Sequence, residues 1–278
     1  VYLFLSALRV EDEENNRRTT SKKKVIMHAL KNELYHELTQ NILPFWLDKM
    51  VDFRHGGYLG RIDGRGNIVP DAEKGAVLNA RILWAFSAAY RVLNKAEYLE
   101  AATRAKDYFV AHFIDKQHGG VFWSLDAQGQ PLDTKKQTYA MGFAIYGLSE
   151  YARATGSDEA LQYAQALYND IESHAFDNQN NGYVEALTRS WQPIADMRLS
   201  DKDENGSRTM NTHLHILEPY TNLYRVWRTP ELAERISNLI DIFLTHLLNK
   251  QTKHLDLFFD DCWQGKRNIQ SFGHDIEA

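Results

Sequence analysis

A phrase built on glycine recurs along the chain and limits the folds that the chain can adopt. It occurs as HGGYLG at 55–60, as HGGVFW at 118–123 and as NNGYVE at 180–185. Its equivalent glycines, Gly57, Gly120 and Gly182, are 63 and 62 residues apart. Each copy is a turn followed by a short β-like run, and HLDLFFDDCW at 254–263 stands where a fourth copy is expected, without the glycines. Such self-similarity indicates repeated units that must stack to bury their apolar faces.

The segments between the phrases have the apolar spacing of amphipathic helices. Apolar side chains recur three or four residues apart in five stretches, at 76–93, 97–114, 138–155, 159–176 and 230–248. We therefore predict an all-α fold whose unit is a pair of helices with a short β-hairpin between successive pairs. A closed ring of six such hairpins, an α/α barrel or toroid, would need roughly 370 residues at this spacing. Residues 27–278 supply about four hairpins, so we expect an incomplete barrel.

The first 26 residues differ from the rest of the chain. VYLFLSAL is apolar but too short to span a membrane, and the following RVEDEENNRRTTSKKK is too charged to form a core. Met27 comes directly after this run. We expect residues 1–26 to be an extension that is disordered, a solvated helix or not native, and residues 27–278 to form a partial α/α-barrel catalytic domain.

The composition argues against several kinds of partner. The formal net charge of -5 gives no basis for binding nucleic acid or an anionic membrane. The single cysteine, Cys262, excludes an internal disulfide and fits a reducing compartment, so we expect a cytoplasmic protein. The sequence contains no P-loop, no GxGxxG, no GxSxG and no pair of CxxC motifs. We therefore expect neither a cofactor nor a bound metal.

Polar residues suited to catalysis cluster in the stretch MNTHLHILEPY. If this stretch is helical, His213 and His215 point about 200° apart and cannot bind one metal ion. His215 and Glu218 share a helical face, and so does Asn211. Pro219 weakens this argument because it disfavours a helical Glu218, so the helix is expected to bend or restart there. We predict that His215 is catalytic and that Asn211, His213 and Glu218 bind the substrate.

The last residues, SFGHDIEA, contain a second histidine and glutamate with the same spacing, His274 and Glu277. A carboxylate beside an imidazole orients it, selects its tautomer and moves its pKa into the range useful for acid–base catalysis. The alternative is an ordinary hydrogen bond along a helical face. Because the chain contains two such pairs, we predict that His274 and Glu277 are catalytic.

Three further side chains are candidates for binding a ligand. Arg81 lies in a strongly apolar helix, so it is either buried against an anionic partner or ligand or extended to the surface. Tyr139, near the start of the next unit, either faces the same inner wall or belongs to the core. Asp203 lies with Asp201 and Glu204 on an acidic loop, which is either solvated or part of a glycosidase carboxylate pair.

Four stretches together resemble the N-acylglucosamine 2-epimerase superfamily, in particular its cellobiose 2-epimerase branch. They are KGAVLNARILWAFSAAYRVL, QTYAMGFAIYGLSEYARATG, MNTHLHILEPYTNLYRVW and SFGHDIEA. The likeness runs from about Met27 to Ala278. It implies a barrel of six helical hairpins, in agreement with the repeat, and about a third of the protein beyond this chain. It also implies that Tyr139 and Asn211 line a sugar pocket.

The resemblance assigns roles to the other candidates. Arg81 matches an arginine that binds the sugar near its reacting carbons, and His215 matches a histidine that assists ring opening or holds the substrate. His274 matches one of two acid–base histidines, with Glu277 as its supporting carboxylate. The second histidine and the tryptophans that stack on the sugar have no counterpart here, so we expect little or no activity from this chain alone.

The chemistry of epimerisation explains these residue types. Removal of the C2 proton of a reducing-end aldose gives a cis-enediolate, whose negative charge a cation such as Arg81 stabilises. We therefore expect a cofactor-independent 2-epimerase of β-1,4-linked disaccharides such as cellobiose or lactose, acting as a monomer or weak dimer. The alternatives are a mannose or N-acylglucosamine 2-epimerase, an aldose–ketose isomerase, an α/α-toroid glycoside hydrolase and a non-catalytic helical scaffold.

Overall fold

The computed structural model describes the backbone of residues 21–278 and the side chains of residues 27–278. The first helix among the described residues begins at Ser21, before the domain boundary predicted at Met27, and most of the predicted extension lies outside the described residues. None of the helices in this range combines the length and apolar character needed to cross a bilayer.

Helices and short strands alternate along the described residues. The helices are α1 Ser21–Glu37, α2 Leu43–Asp48, α3 Ala76–Leu93, α4 Ala96–Tyr108, α5 Thr138–Thr155, α6 Asp158–His174, α7 Met210–Tyr224, α8 Pro230–Ile242 and α9 Phe272–Glu277. The strands are β1 Lys74–Gly75, β2 Ser124–Leu125, β3 Pro131–Asp133, β4 Lys136–Gln137, β5 Ala186–Leu187, β6 Arg208–Thr209 and β7 Phe258–Phe259. Three π-helical segments lie after α1, α4 and α8, at Leu38–Ile42, Phe109–Phe113 and Phe243–Leu247.

Three complete helical hairpins follow one another, α3–α4, α5–α6 and α7–α8. The inner helix α5 packs against both α3 and α7, while α4, α6 and α8 pack on the inner helices from outside. Two glycines allow this close approach, because a Cβ on Gly147 would lie 2.7 Å from the Ala80 carbonyl oxygen and one on Gly142 2.2 Å from that of His215. The prediction of an all-α fold of stacked hairpins is confirmed.

Capping residues set the ends of these helices. The side chains of Ser157, Thr209 and Thr229 accept the free backbone N–H groups at the starts of α6, α7 and α8. Asn94 and Gly156 adopt left-handed conformations that end α3 and α5. The boundaries of these helices are therefore set by residues at or next to the helix ends themselves.

The strands join neighbouring units. The strand before each inner helix pairs antiparallel with a strand that follows the next copy of the phrase, giving the pairs β1–β2, β4–β5 and β6–β7. Within a copy the turn is closed by a single bridge, such as Val51 to Tyr58. The bridge from Leu248 to Leu255 closes the same turn in the fourth copy. These pairings place the starts of α3, α5 and α7 together at the end of the stack that carries the turns.

An aromatic ring over each turn explains the glycine of the phrase. All three equivalent glycines have positive φ, between 63° and 95°, and a Cβ on any of them would overlap a ring. The closest approaches are 2.6 Å for Gly57 to Tyr108, 2.8 Å for Gly120 to Trp191 and 2.5 Å for Gly182 to Trp263. Glycine is therefore required in each copy for two reasons, the positive φ of the backbone and the ring packed against the turn.

A buried ion pair holds each of these turns. Lys136 Nζ lies 2.9 Å from Asp115 Oδ2, and both side chains are almost completely buried. The same pairing joins Lys74 to Asp52 at 2.7 Å, and in the third unit Arg208 pairs with Asp177. A buried lysine is tolerated only with such a partner, so the pairs fix the turn relative to the strand before the inner helix.

Candidate active site

Equivalent positions of the three inner helices form one wall. The sixth residues of α3, α5 and α7 are Arg81, Phe143 and His215. The Arg81 guanidinium carbon lies 4.4 Å from the centre of the Phe143 ring, and the Phe143 and His215 ring centres are 4.8 Å apart. Tyr139, the second residue of α5, has its ring centre 5.0 Å from that of His215. The stacking of the repeat thus brings together side chains from distant parts of the sequence.

The Tyr139 hydroxyl makes polar contacts with Arg81 and Asn211. Burial raises the pKa of Tyr139 and the nearby guanidinium opposes this, so the hydroxyl is protonated at neutral pH. Arg81 is exposed, which rules out the buried alternative considered from the sequence. The structure therefore places Arg81, Tyr139 and Asn211 in one polar group, as their predicted role in binding requires.

His215 lies between two carboxylates. Its Nδ1–H donates to Glu218 Oε2 at 2.9 Å, as the spacing in the sequence predicts, and its Nε2 lies 3.9 Å from Glu277 Oε1. The residue is only 3% exposed. Helix α7 continues through Pro219, so the bend considered there does not separate the pair. With Nδ1 engaged, Nε2 is the nitrogen available for proton exchange.

His274 has a free nitrogen in a protected place. It lies on α9, whose start is capped by the Ser271 hydroxyl oxygen. Its Nδ1 is buried and has no hydrogen-bond partner among the described residues. The carboxylate of Glu277, predicted to support His274, lies near His215 instead. The structure thus places both glutamates beside His215, and for Glu277 this is a pairing that the sequence spacing did not predict.

The short helix that carries His274 is anchored by its neighbour. Asp275 Oδ2 accepts from His254 Nδ1 at 2.6 Å, and Asp275 Oδ1 accepts from the Leu255 N–H at 2.9 Å. These hydrogen bonds lower the pKa of Asp275. Since no side chain of α9 is buried, this anchor is a main determinant of where His274 lies. Asp275 was not among the candidates identified from the sequence.

A cavity lies beside this group of side chains, but Arg81, Tyr139 and His215 do not line it. Asn211 and His274 line it together with Asp203 and Glu185, and Asn211 also contacts Tyr139 outside it. Asp203 Oδ2 accepts from the backbone N–H and the hydroxyl of Ser200, both at 2.9 Å. The acidic loop is therefore ordered at the cavity edge by its own hydrogen bonds.

His213 does not reach this cavity. It is completely buried, its Nδ1–H donates to the Thr209 carbonyl at 2.7 Å, and its Nε2 accepts from the Tyr183 N–H at 3.0 Å. Burial lowers its pKa to about 4. With both nitrogens used inside the protein, His213 joins the third turn to α7, and this placement corrects the expectation that it contacts the substrate.

Comparisons with known proteins show which family the chain resembles. A sequence model of the N-acylglucosamine 2-epimerase (GlcNAc 2-epimerase) family matches residues 57–278. A cellobiose 2-epimerase of Bacteroides fragilis is 61% identical over 249 residues, which cover 90% of this chain and 64% of that protein. A cellobiose 2-epimerase of Ruminococcus albus is 38% identical over 247 residues, 89% of this chain and 63% of the relative.

The solved structure of cellobiose 2-epimerase from Bacillus thermoamylovorans B4167 superimposes with a TM-score of 0.86 at 44% identity. That match covers 90% of this chain and 64% of the solved one. The chain thus spans somewhat less than two thirds of the length of these relatives. On the family match and this shared fold, the chain belongs to the N-acylglucosamine 2-epimerase family.

Proposed function

We propose that the protein carrying this chain epimerises C2 of the reducing-end aldose of β-1,4-linked disaccharides such as cellobiose or lactose. One observation carries the proposal: Arg81, Tyr139 and His215, an imidazole between two carboxylates, lie close together at the starts of neighbouring inner helices, and Asn211 links them to a cavity lined by His274. The relatives described as cellobiose 2-epimerases support the choice of substrate.

The reaction divides into steps that these groups suit. Proton exchange at the ring oxygen and the C1 hydroxyl opens the sugar, for which His215 offers Nε2 while Glu218 holds Nδ1–H. The C1 aldehyde then acidifies the C2 proton, and the base that removes or returns it on one face of the sugar is His274, whose Nδ1 has no hydrogen-bond partner among the described residues. A positioned acid or base of this kind contributes roughly 10²–10⁴ in rate.

The enediolate formed by loss of the C2 proton carries its charge on oxygen. Arg81 and the Tyr139 hydroxyl lie side by side and donate to such an oxygen without further rearrangement. Losing one preorganised donor costs about 10²–10³ in rate. Reprotonation of C2 on the opposite face gives the epimer, so the bonds broken and re-formed at carbon are C2–H and, as the ring opens and closes, C1–O5.

Turnover of cellobiose in D₂O tests the proposal. Product glucosyl-mannose should carry deuterium at C2, because the abstracted proton exchanges with solvent. His274→Asn should reduce the rate at least about 10²-fold, whereas His28→Asn, on the exposed surface of α1, should not. Epimerisation without deuterium at C2, or full activity of His274→Asn, would show that the mechanism is wrong.

The same reactions discriminate between the alternative functions. Mannose and N-acetylglucosamine serve as competing substrates, and a higher kcat/KM for either would replace the disaccharide assignment. Release of glucose from cellobiose that disappears in Asp203→Asn would instead indicate a hydrolase. No turnover of any aldose would favour a helical scaffold.

We also propose that the protein is cytoplasmic and acts as a monomer or weak dimer. The only cysteine, Cys262, is exposed and unpaired, as suits a reducing compartment. Light scattering coupled to size exclusion measures the mass directly, and a stable tetramer at micromolar concentration would contradict the proposal. Cell fractionation with a tagged protein tests the location.

A further inference from the structure

A buried carboxyl group at the cavity has no role in the mechanism above. Glu185 is 1% exposed and lines the cavity beside Asn211 and His274. It directly precedes β5, at the end of the third copy of the phrase. A buried ionisable side chain at a cavity needs an explanation.

The repeat shows that the fold does not require a carboxyl here. The equivalent positions are Gly60, Trp123 and Leu257 in the other copies. The backbone oxygens of Trp123, Glu185 and Leu257 accept from the first N–H of α3, α5 and α7 at 3.0, 2.9 and 3.0 Å. The carbonyl therefore has a common structural role in the repeat, and the carboxyl is an addition peculiar to the third unit.

The carboxyl of Glu185 accepts hydrogen bonds from two residues that flank Asn211 in the sequence, Thr209 and Thr212. Its Oε1 accepts from the Thr209 N–H at 2.8 Å and its Oε2 from the Thr212 hydroxyl at 2.6 Å. These contacts fix the first turn of α7, on which Asn211 lies. Asn211 in turn contacts the Tyr139 hydroxyl and lines the cavity.

Capping of α7 alone does not account for this arrangement. The Thr209 hydroxyl already accepts the Thr212 N–H at 3.0 Å, as an N-cap residue does. Burial raises the pKa of Glu185 to about 8, against the effect of the hydrogen bonds from both threonines. Burial of a carboxyl group is unfavourable, and here a standard N-cap already exists. An ionisable side chain buried in such a place is typical of a functional site.

We propose that Glu185 is a positioning residue that holds Asn211 in the orientation needed to bind a sugar hydroxyl. It acts through Thr209 and Thr212 and does not itself contact the reacting atoms. The inference rests on the proposed function in one respect, that the ligand of Asn211 is a sugar.

Four variants test this role in the epimerase assay with cellobiose. Glu185→Leu copies the residue of the next unit and removes both acceptors. Glu185→Gln keeps one oxygen for the Thr209 N–H and offers an N–H to the Thr212 oxygen. Asn211→Ala removes the positioned group, and Glu185→Leu/Asn211→Ala completes a double-mutant cycle. Thr212→Val, which removes one hydrogen bond at nearly constant size, replaces Glu185→Leu if that variant does not fold.

If Glu185 acts through Asn211, Glu185→Leu lowers kcat/KM roughly 10- to 100-fold, the effect of a displacement of about 1 Å, chiefly by raising KM. Glu185→Gln recovers most of this loss, and the double variant is no worse than Asn211→Ala. A purely structural role predicts additive losses instead. Additive losses, or a wild-type KM in Glu185→Leu, would overturn the inference.

A second readout keeps the inference separate from the proposed function. The side-chain amide resonances of Asn211, identified by their loss in Asn211→Ala, should shift in Glu185→Leu and stay close to their native positions in Glu185→Gln. If the protein that carries this chain has no epimerase activity, the proposed function fails, while these resonances still decide whether Glu185 orients Asn211. Unchanged resonances in Glu185→Leu would refute the positioning role.

Discussion

Replacement of Gly57 by alanine tests why glycine recurs in the repeat. Gly57 has φ of +63°, and a Cβ there would meet three ring atoms of Tyr108 at 2.6 to 2.8 Å. Tyr108 is 6% exposed, so its ring cannot simply swing into solvent. The structure thus predicts two separate penalties, one from the backbone and one from the ring.

A second glycine isolates the backbone penalty. Gly156 also has a positive φ, +76°, but no atom lies within 4 Å of its Cβ position. Gly156→Ala should therefore cost only the left-handed conformation, about 1 kcal/mol of the free energy of unfolding. Overpacking a filled site adds about 1–3 kcal/mol, so Gly57→Ala should cost about 2–4 kcal/mol.

Urea unfolding followed by far-UV circular dichroism measures both variants on one scale. Tyr108→Ala removes the ring. In a protein that carries Tyr108→Ala, adding Gly57→Ala should lower the free energy of unfolding only as much as Gly156→Ala does in the wild type, because only the backbone penalty then remains. Equal losses for Gly57→Ala and Gly156→Ala would refute the argument that the ring selects glycine.

Three further predictions concern charged groups. Lys74→Met should lower the free energy of unfolding by about 3 kcal/mol, because it leaves the buried Asp52 carboxylate with only the backbone N–H groups of Arg54 and His55 as partners among the described residues; a change below about 1 kcal/mol in urea unfolding would contradict this. Asp275→Ala should lower epimerase kcat/KM at least about 10-fold by releasing His274, with little loss of thermal stability because α9 buries no side chain; wild-type kcat/KM would rule out the anchor. The folded state retains the Glu185 proton up to a pH of about 8, its raised pKa, whereas the unfolded chain loses it near 4.5. Stability should therefore fall with rising pH across this window by up to about 1.4 kcal/mol per pH unit, and Glu185→Gln should remove that part of the slope in unfolding curves measured at several pH values.

The repeated architecture could be predicted because its cause is local. Apolar periodicity gives the helices, and glycine marks the turns, so both are visible in one sequence. The rings over the turns and the ion pairs beneath them were not predicted, since Lys136 lies 21 residues from Asp115 and Trp191 lies 71 residues from Gly120. Pairing of the strands between neighbouring units was missed for the same reason.

The site was predictable only where its contacts lie along one helix. His215 and Glu218 are three residues apart, and their hydrogen bond follows from helical geometry. The approach of Glu277 to His215 crosses between helices, so the spacing from His274 was misleading. Phe143 resembles an ordinary core residue, yet an alignment of the inner helices by their first residues places it level with His215.

The order of side chains along the wall has an electrostatic consequence. Arg81 stands at one end of the stack and His215, with its two carboxylates, at the other, and the Phe143 ring lies between them. If the guanidinium contacted Glu218 directly, the ion pair would satisfy both groups and leave neither for a ligand. The ring instead gives the guanidinium an apolar platform on which its donors remain available. A polyol lying along this wall would thus have the Arg81 guanidinium near one of its oxygens and the His215 imidazole near another. The proposed reaction requires both groups, an imidazole to open the sugar and a cation to stabilise its enediolate.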